Sequence, residues 1–530
     1  MNQPAASPIP AVFVLTPEPL PENVQYASGA PLPPAGPSLL DSVLDGTTAG
    51  GRASSRLERF LQEPRPGIAI REWLGPLPAV SGPALKQYLA QRLNRDIARL
   101  DALLNRQVNA ILHHPDFQEL EASWRSLRFL VDQVPEGSKD VKVKVLNVSW
   151  KELTHDLTVR NLEFDQSQLF RRVYSDEFGM PGGEPFGVLI GDYEIRHRMS
   201  RDHPYNDLET LKAIAGVAAA AFAPFIAAAH PSLLELGSYA ELEKPLNLSQ
   251  TFEQIDYLKW KAFRKVEDAR FVGLTLPRVL ARLPYVEDST RADGFRFREE
   301  VGRADRSSYL WGNAAYAFAA VVIRAFATSG WLADIRGARR GEISGGAVTG
   351  LPSHSFSTDT NGVALKCSTD TIITDAQERE LGLLGFIPLC YCQDTKLSAF
   401  YGNQSVQEPK VFDQLSANVN ARLSAMLQYI LCASRFAHYL KAIYRDRIGS
   451  FTSVAELQSF LQKWLGSYTS AGETSEARKP LREASVELEE LPNRPGSYLC
   501  RMFLRPHYQL DQLSAALSLE STLAPGQKQG

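Results

Sequence analysis

The chain has 530 residues, 44% of them apolar and 22% charged, with a net charge of −3. That length exceeds what one hydrophobic core fills, so more than one packed unit is expected. The ordinary composition excludes a wholly disordered or collagen-like chain, and the absence of a dense Lys/Arg tract argues against a nucleic-acid surface.

Residues 1–37 are rich in Pro, Ala and Ser without an apolar period, and are expected to be a disordered leader. The start Met1-Asn2-Gln3-Pro4 lacks the basic and then apolar pattern of a signal peptide. In the stretch that follows, Leu39, Leu40, Val43 and Leu44 fall on one face of a short helix, with Ser38 as N-cap and Gly46 as stop. So short a helix is marginal in water. It reads either as a fragment docked on its own domain or as a peptide that folds in a partner's groove. Residues 38–82 then continue as an extended linker, in which the proline-flanked Ile68-Ala69-Ile70 predicts a strand.

Pro83 opens a long helix with apolar residues at Leu85, Leu89, Leu93, Ile97, Leu100, Leu104, Val108 and Ile111. His113-His114-Pro115 ends it, and a second helix carries Phe117, Leu120, Trp124, Leu127, Val131 and Val134, completing a helical hairpin. Val141-Lys142-Val143-Lys144-Val145 alternates and predicts a half-buried strand. Ser149-Trp150-Lys151-Glu152 predicts a capping box.

The middle of the chain reads as one βα unit. A helix over Leu162 to Phe170 leads through a glycine turn at 178–185 to a buried strand, Phe186 to Tyr193, and an alanine-rich buried helix, Leu211 to Ala229. The run Ile214 to Ala229 is short and broken by Pro224, so it predicts a core helix rather than a membrane span. Beyond it come a helix at Leu248 to Phe263, a strand at Phe271 to Pro277, a polar loop at 284–308 and a helix from Tyr309 to about Phe326. Thr374 caps a short helix, Phe386 to Cys390 continues as strand, and a further helix covers Ala417 to Asp446.

After a polar break at 470–479 the pattern turns to strands: Ala484, Val486 and Leu488, then Ser497 to Leu504, then Leu513 to Leu519 with Leu517 and Leu519 on one face. The fold class is α/β, mixed α+β, with a central sheet flanked by helices. Its core covers 83–480 as two packed subdomains, followed by a β meander at 481–523 and a disordered tail at 524–530. The meander is either an ordinary terminal sheet or an edge open to β-augmentation.

Chemistry is hard to find. No H-E-x-x-H, G-x-S-x-G, Walker A or dinucleotide fingerprint occurs. The glycine loop at 344–350 lacks the Gly-Lys-Ser/Thr a phosphate cradle needs. His113 and His114 have no ligand partner at metal spacing, so a helix-terminal role is preferred. Cys367, Cys390, Cys392, Cys432 and Cys500 form no CxxC pair and suit a reducing cytoplasm. Asp192, at a strand end, is the one candidate general acid or base, against a local capping role. No catalytic, cofactor-binding or metal residue is assigned.

Several strings together resemble the large subunit of the type VI secretion contractile sheath, the TssC/VipB/EvpB family. They include Glu267-Asp268-Ala269-Arg270-Phe271-Val272-Gly273-Leu274-Thr275-Leu276-Pro277-Arg278 with Arg282-Leu283-Pro284-Tyr285, and Tyr309-Leu310-Trp311-Gly312-Asn313-Ala314-Ala315-Tyr316. Ile111 to Phe117, Gly191-Asp192-Tyr193-Glu194, Arg435-Phe436-Ala437-His438 and Arg505-Pro506-His507-Tyr508 follow the same family in colinear order, over about residues 83–523. The resemblance implies a non-enzymatic cytoplasmic assembly protein of the contractile-sheath fold. It implies pairing with a small sheath subunit (TssB/VipA-like) and, with other copies, polymerisation around an Hcp tube on a baseplate. Contraction ejects the tube, and a ClpV-type AAA+ unfoldase recycles the sheath.

Under this resemblance Leu39, Leu40, Val43 and Leu44 are the candidate unfoldase-binding helix. Ile68, Ile70, Val486, Leu488, Leu517 and Leu519 belong to candidate strands exchanged between subunits. Before residue 83 the sequence departs from the family. A phage-type tail sheath or sheath-like baseplate component is the nearest alternative, and an α/β enzyme with a site near Asp192 the alternative of another class.

Overall fold

The computed structural model describes residues 52–78, 82–138, 140–160, 163–287, 294–302, 306–338, 342–356, 365–392, 395, 397–446, 454–470, 479–490, 498–506 and 517–523. The expected leader, the helix bearing Leu39, Leu40, Val43 and Leu44, and the expected C-terminal tail lie outside these residues. The chain divides into two compact units, residues 1–106 and 107–530.

In the first unit, helices α1 (Arg52–Gln62) and α2 (Pro66–Leu74) precede α3 (Pro83–Leu112), within which the division falls. The strand expected at Ile68 and Ile70 is corrected: both lie on α2. Pro66 occupies the first helical turn, where its fixed φ and missing N–H cost nothing, and Gly75, at φ 74°, closes the helix. Trp73 packs on Phe60 and donates its indole N–H to buried Asp96 over 2.9 Å. The prolines therefore start this helix rather than enforce an extended chain.

The second unit continues with α4 (Pro115–Asp132), which His114 precedes in an extended conformation. The strand expected at 141–145 is not formed: the segment has no assigned secondary structure, and no described strand pairs with it. The expected capping box is present: Ser149 Oγ accepts from the Glu152 amide at 3.3 Å, and the Glu152 carboxylate accepts from the Ser149 amide at 2.9 Å. The helix expected at 162–170 is instead a chain of short turns, Phe164–Gln166 and Gln168–Phe170, followed by π-helical Arg171–Gly179.

Strand β1 (Leu189–Ile195), helix α5 (Asp207–Ala221) and strand β2 (Phe225–Ala229) form a parallel β-α-β unit, with Leu189 opposite Phe225 and Ile195 opposite Ala229. The single helix expected from Leu211 to Ala229 is thus corrected. It ends at Phe222, in a left-handed conformation at φ 51°, and after Pro224 the chain becomes a fully buried strand. A buried parallel strand has no alternation, so its Phe-Ile-Ala-Ala-Ala run looks like buried helix.

Further elements are β3 (Val272–Leu276), α6 (Ala314–Ser329), β4 (Ala347–Val348), α7 (Asp375–Leu383), β5 (Phe386–Tyr391) and β6 (Ser398–Phe400). The six-stranded sheet runs β1-β2-β3-β5-β6-β4, the first four parallel and the last two antiparallel to their neighbours. Phe225, Ala227 and Leu274 face a core shared with α5, while Ile226, Ile387 and Leu389 face one shared with α6. Gly273 is needed where these layers meet: a Cβ there would lie 2.7 Å from Leu427 and 2.8 Å from Ile226.

Beyond the sheet lie α8 (Leu415–Ser424) and α9 (Leu427–Asp446), the single helix expected here being interrupted at Ala425-Met426. Helix α10 (Val454–Gly466) and strands β7 (Leu481–Glu490), β8 (Tyr498–Pro506) and β9 (Leu517–Leu523) complete the chain as a helix on an antiparallel sheet. Helix α9 joins the two cores: Leu427, Ile430 and Leu431 pack with the central sheet, and Phe436 and Leu440 with Trp331, Leu461, Val486 and Met502.

Candidate assembly surfaces

The carboxyl ends of the parallel strands are where open α/β sheets hold ligands, at a point where strand order reverses. Here β1, β2, β3 and β5 follow in one direction without reversal. The crevice is filled by ion pairs. Arg278, just past β3, grips Glu194 of β1 through two bonds of 2.6 and 2.7 Å. Burial holds His230, just past β2, down to about 4, so it is neutral, and its Nδ1 accepts from the Ser232 amide at 3.1 Å. Arg306 pairs with Glu243 and donates to the Asp370 carbonyl. Burial lifts the Asp370 carboxyl to about 7, and its Oδ1 has no partner. The Cys367 thiol lies near Arg306, Glu243 and Asp370, where burial pushes it up to about 11, and among the described residues no His/Cys/Asp/Glu cluster able to hold a metal ion is found.

Asp192 is exposed on the wall of an apolar groove and is also tied to the scaffold. Its carboxylate accepts from Ser123 Oγ of α4 at 2.5 Å, and desolvation raises its pKa above the usual carboxylate range in spite of that bond. Strand β1 bulges between Ile190 and Glu194. The Asn313 amide donates to the Gly191 and Tyr193 carbonyls at 3.4 and 3.3 Å, and its oxygen caps α6 by accepting from the Ala315 amide at 2.8 Å. A Cβ at Gly191 would lie 2.4 Å from the Phe225 ring, so only glycine fits.

A second knot joins the hairpin to the loop after β3. Arg282, only 6% exposed, donates to Glu121 at 2.8 Å and to Glu299 at 2.6 and 3.0 Å, and its guanidinium stacks 4.4 Å over Tyr285. Burial alone would raise Glu299, but Arg282 and the Tyr285 amide hold it below the usual carboxylate range. His113 Nε2 lies 3.3 Å from the same carboxylate. The preferred role of the histidine pair thus gains a partner 186 residues away, which no spacing rule reveals.

Apolar surface is concentrated elsewhere. A groove of about 1560 Å³ is lined by α4, residues 140–150, β1, α6 and α9. On its rim Leu120, Trp124, Val145 and Leu146 are all more than half exposed. Phe117, Leu120, Trp124 and Val131 follow one another along α4 at helical spacing, so a continuous apolar stripe faces outward.

The C-terminal sheet has two unequal edges. Along β7, Gln462 of α10 donates to the Ala484 carbonyl at 3.0 Å and accepts from the Val486 amide at 3.0 Å. Gln458 donates to the Val486 carbonyl at 3.1 Å. The two glutamines replace a neighbouring strand. Val486 and Leu488, expected in exchanged strands, belong here to the chain's own core. Leu517 and Leu519 of β9 pair with Leu504 and Met502 of β8, and no described strand pairs with the other edge of β9. Helix α10 is absent from the sequence expectations, although Leu457, Leu461 and Leu465 recur every fourth position and are buried.

Comparison with known proteins gives these surfaces a context. A VipB family model, described as the EvpB/VC_A0108 tail sheath N-terminal domain, matches residues 94–407. A second, the EvpB/VC_A0108 tail sheath gpW/gp25-like domain, matches residues 416–523. The chain belongs to the VipB/EvpB family of type VI secretion sheath proteins. It is 44% identical over 433 residues to the type VI secretion system sheath protein TssC1 of Pseudomonas aeruginosa PAO1, covering 81% of this chain and 85% of that one. A crystal structure of a sheath tail protein from Desulfitobacterium hafniense aligns at 10% identity over 59% of this chain and 52% of that one, with a TM-score of 0.27, too low to carry an argument. The boundary between the two family domains falls at the start of α8, where the chain leaves the central sheet for the C-terminal helix-and-sheet layer. Among the described residues no helix is long and apolar enough to cross a membrane.

Proposed function

We propose that this chain is the large structural subunit of a type VI secretion contractile sheath. It pairs with a small TssB/VipA-like subunit and polymerises with its own copies around an Hcp tube on a baseplate, in the cytoplasm. Contraction drives the tube out. The observation that carries this reading is the family likeness running colinearly through both domains, 94–407 and 416–523. It is supported by the forked Arg278–Glu194 ion pair across the strand ends and by the apolar stripe left exposed along α4. A building block that alternates between two lattice packings needs a stiff core and sticky margins, not a catalytic residue.

The N-terminal helix with Leu39, Leu40, Val43 and Leu44 remains the candidate handle for a ClpV-type unfoldase, and Leu517 and Leu519 the candidate exchanged strand. Co-expression with the small subunit from the same locus tests the reading by electron microscopy. Tubules are expected, and they are expected to persist in Asp192→Asn, since Asp192 serves the scaffold. A monomer that forms no tubules, or a ligand-binding activity lost in Asp192→Asn, would overturn it.

A further inference from the structure

The segment Cys367-Ser368-Thr369-Asp370-Thr371 is buried at every position, although four of its five residues are polar. It is laced to the residues that follow β3. The Asp370 amide donates to the Arg278 carbonyl at 3.1 Å, and the Leu280 amide donates to the Ser368 carbonyl at 2.8 Å. Ser368 shares a hydroxyl bond of 2.8 Å with Ser398, and Thr369 Oγ1 donates to the Thr371 carbonyl at 2.7 Å. Two side chains of the segment lack a partner, the Thr371 hydroxyl and Oδ1 of Asp370. Asp370 is only 6% exposed, and no ion pair reaches its carboxyl among the described residues.

Two guanidiniums lie near this carboxyl, and both are committed elsewhere. Arg278 forks onto Glu194, while Arg306 pairs with Glu243 and donates to the Asp370 carbonyl rather than to its carboxyl. Three acids thus meet two cations. A buried carboxylate without a cation or hydrogen bonds of its own is costly, so the third acid keeps its proton. Burial accordingly holds Asp370 up at about 7.

We propose that Asp370 is a proton-operated latch at the end of the central sheet. Neutral, it leaves Arg278 to Glu194 and Arg306 to Glu243; ionised, it competes for both guanidiniums and loosens segment 367–371. The latch belongs to the block itself and stands or falls apart from the sheath reading. The closed carboxyl binds a proton that an opened, solvated carboxyl gives up at about 4. Its stabilisation is therefore full below about pH 4 and is lost as pH rises through about 7. Most other neighbours are quiet in the upper part of that window. Burial keeps His230 down at about 4 and Cys367 up at about 11, and it raises the Tyr239 hydroxyl above its ordinary value. His354, opposite Cys367 in a short antiparallel pair, is the other imidazole beside the segment.

Amide exchange in the full chain, corrected for the intrinsic rate at each pH, reads the latch at the Leu280 and Asp370 amides. From pH 5 to 8 their protection is expected to fall about tenfold or more in wild type. In Asp370→Asn, which keeps the shape and loses the titration, protection is expected to stay level. Glu194→Gln releases Arg278 to the ionised carboxyl, so the fall should largely disappear there too. Unchanging protection in wild type would overturn the proposal. So would an equal fall in wild type and both variants, which would pass the effect to His354. Should Asp370→Asn fail to fold, wild type and Glu194→Gln still decide: a fall in the first alone supports the latch, and equal falls overturn it.

Discussion

The central sheet and the margin formed by α4 and residues 140–149 treat the same kinds of residue in opposite ways. Trp260 is fully buried, stacked 5.9 Å from Phe386, whereas Trp124 is 65% exposed on the rim of the groove. Valine and isoleucine in β2, β3 and β5 are sealed between two helical layers, whereas Val143, Val145 and Leu146 face solvent. Polar groups differ too: Arg278 and Arg282 meet carboxylates in forked ion pairs, whereas the backbone of 141–147 bonds to none of the described residues. The core is closed within one chain; the margin leaves apolar residues exposed.

Exchanging the two tryptophans for alanine is the sharpest way to break this comparison. Trp260→Ala should cost about 3–5 kcal/mol of stability, read as a large fall in melting temperature. Trp124→Ala should change the stability of the chain alone by about 0.5 kcal/mol or less yet weaken sheath assembly. Equal destabilisation by both would erase the distinction. Next in size is Arg282→Met, which leaves buried Glu299 with only the Tyr285 amide and His113, and Glu121 with only Arg125, and should cost roughly 3 kcal/mol, measured by denaturant unfolding. A near-neutral result would mean that the knot between the hairpin and the loop after β3 is ornamental. The smallest effect is expected at the other margin. Gln462→Ala should cost about 1–2 kcal/mol and speed exchange at the Val486 amide, because water replaces the glutamine at the β7 edge. Unchanged exchange there would mean that α10 does not cover that edge in solution.

What the sequence made legible follows the range of the forces involved. Local signals read well: the periodic helices at 83–112 and 115–132, and the capping boxes at Ser149 and Thr374. The alanine-rich run misled because a strand buried on both faces loses its alternation, although Pro224 marked the true break. At Ile68 and Ile70 two prolines suggested extension, but proline in a first turn starts a helix equally well. The expected strand at 141–145 is not assigned as one, since alternation in the sequence supplies no neighbour to pair with among the described residues.

The partners of Asp192, Arg282 and His113 were out of reach, since each comes from residues far away in the chain. The strings that carry the family resemblance turned out to be these knots. Gly191 to Glu194 meets Asn313 and Arg278, and Arg282 to Tyr285 meets Glu121 and Glu299. These parts of the resemblance rest on residues that hold the block together.

The central claim is that this block polymerises with a small partner. Electron microscopy of the chain co-expressed with the small sheath subunit from its own locus tests that most directly. Long tubules of both chains are the predicted result; two soluble, separate proteins and no tubules would contradict it.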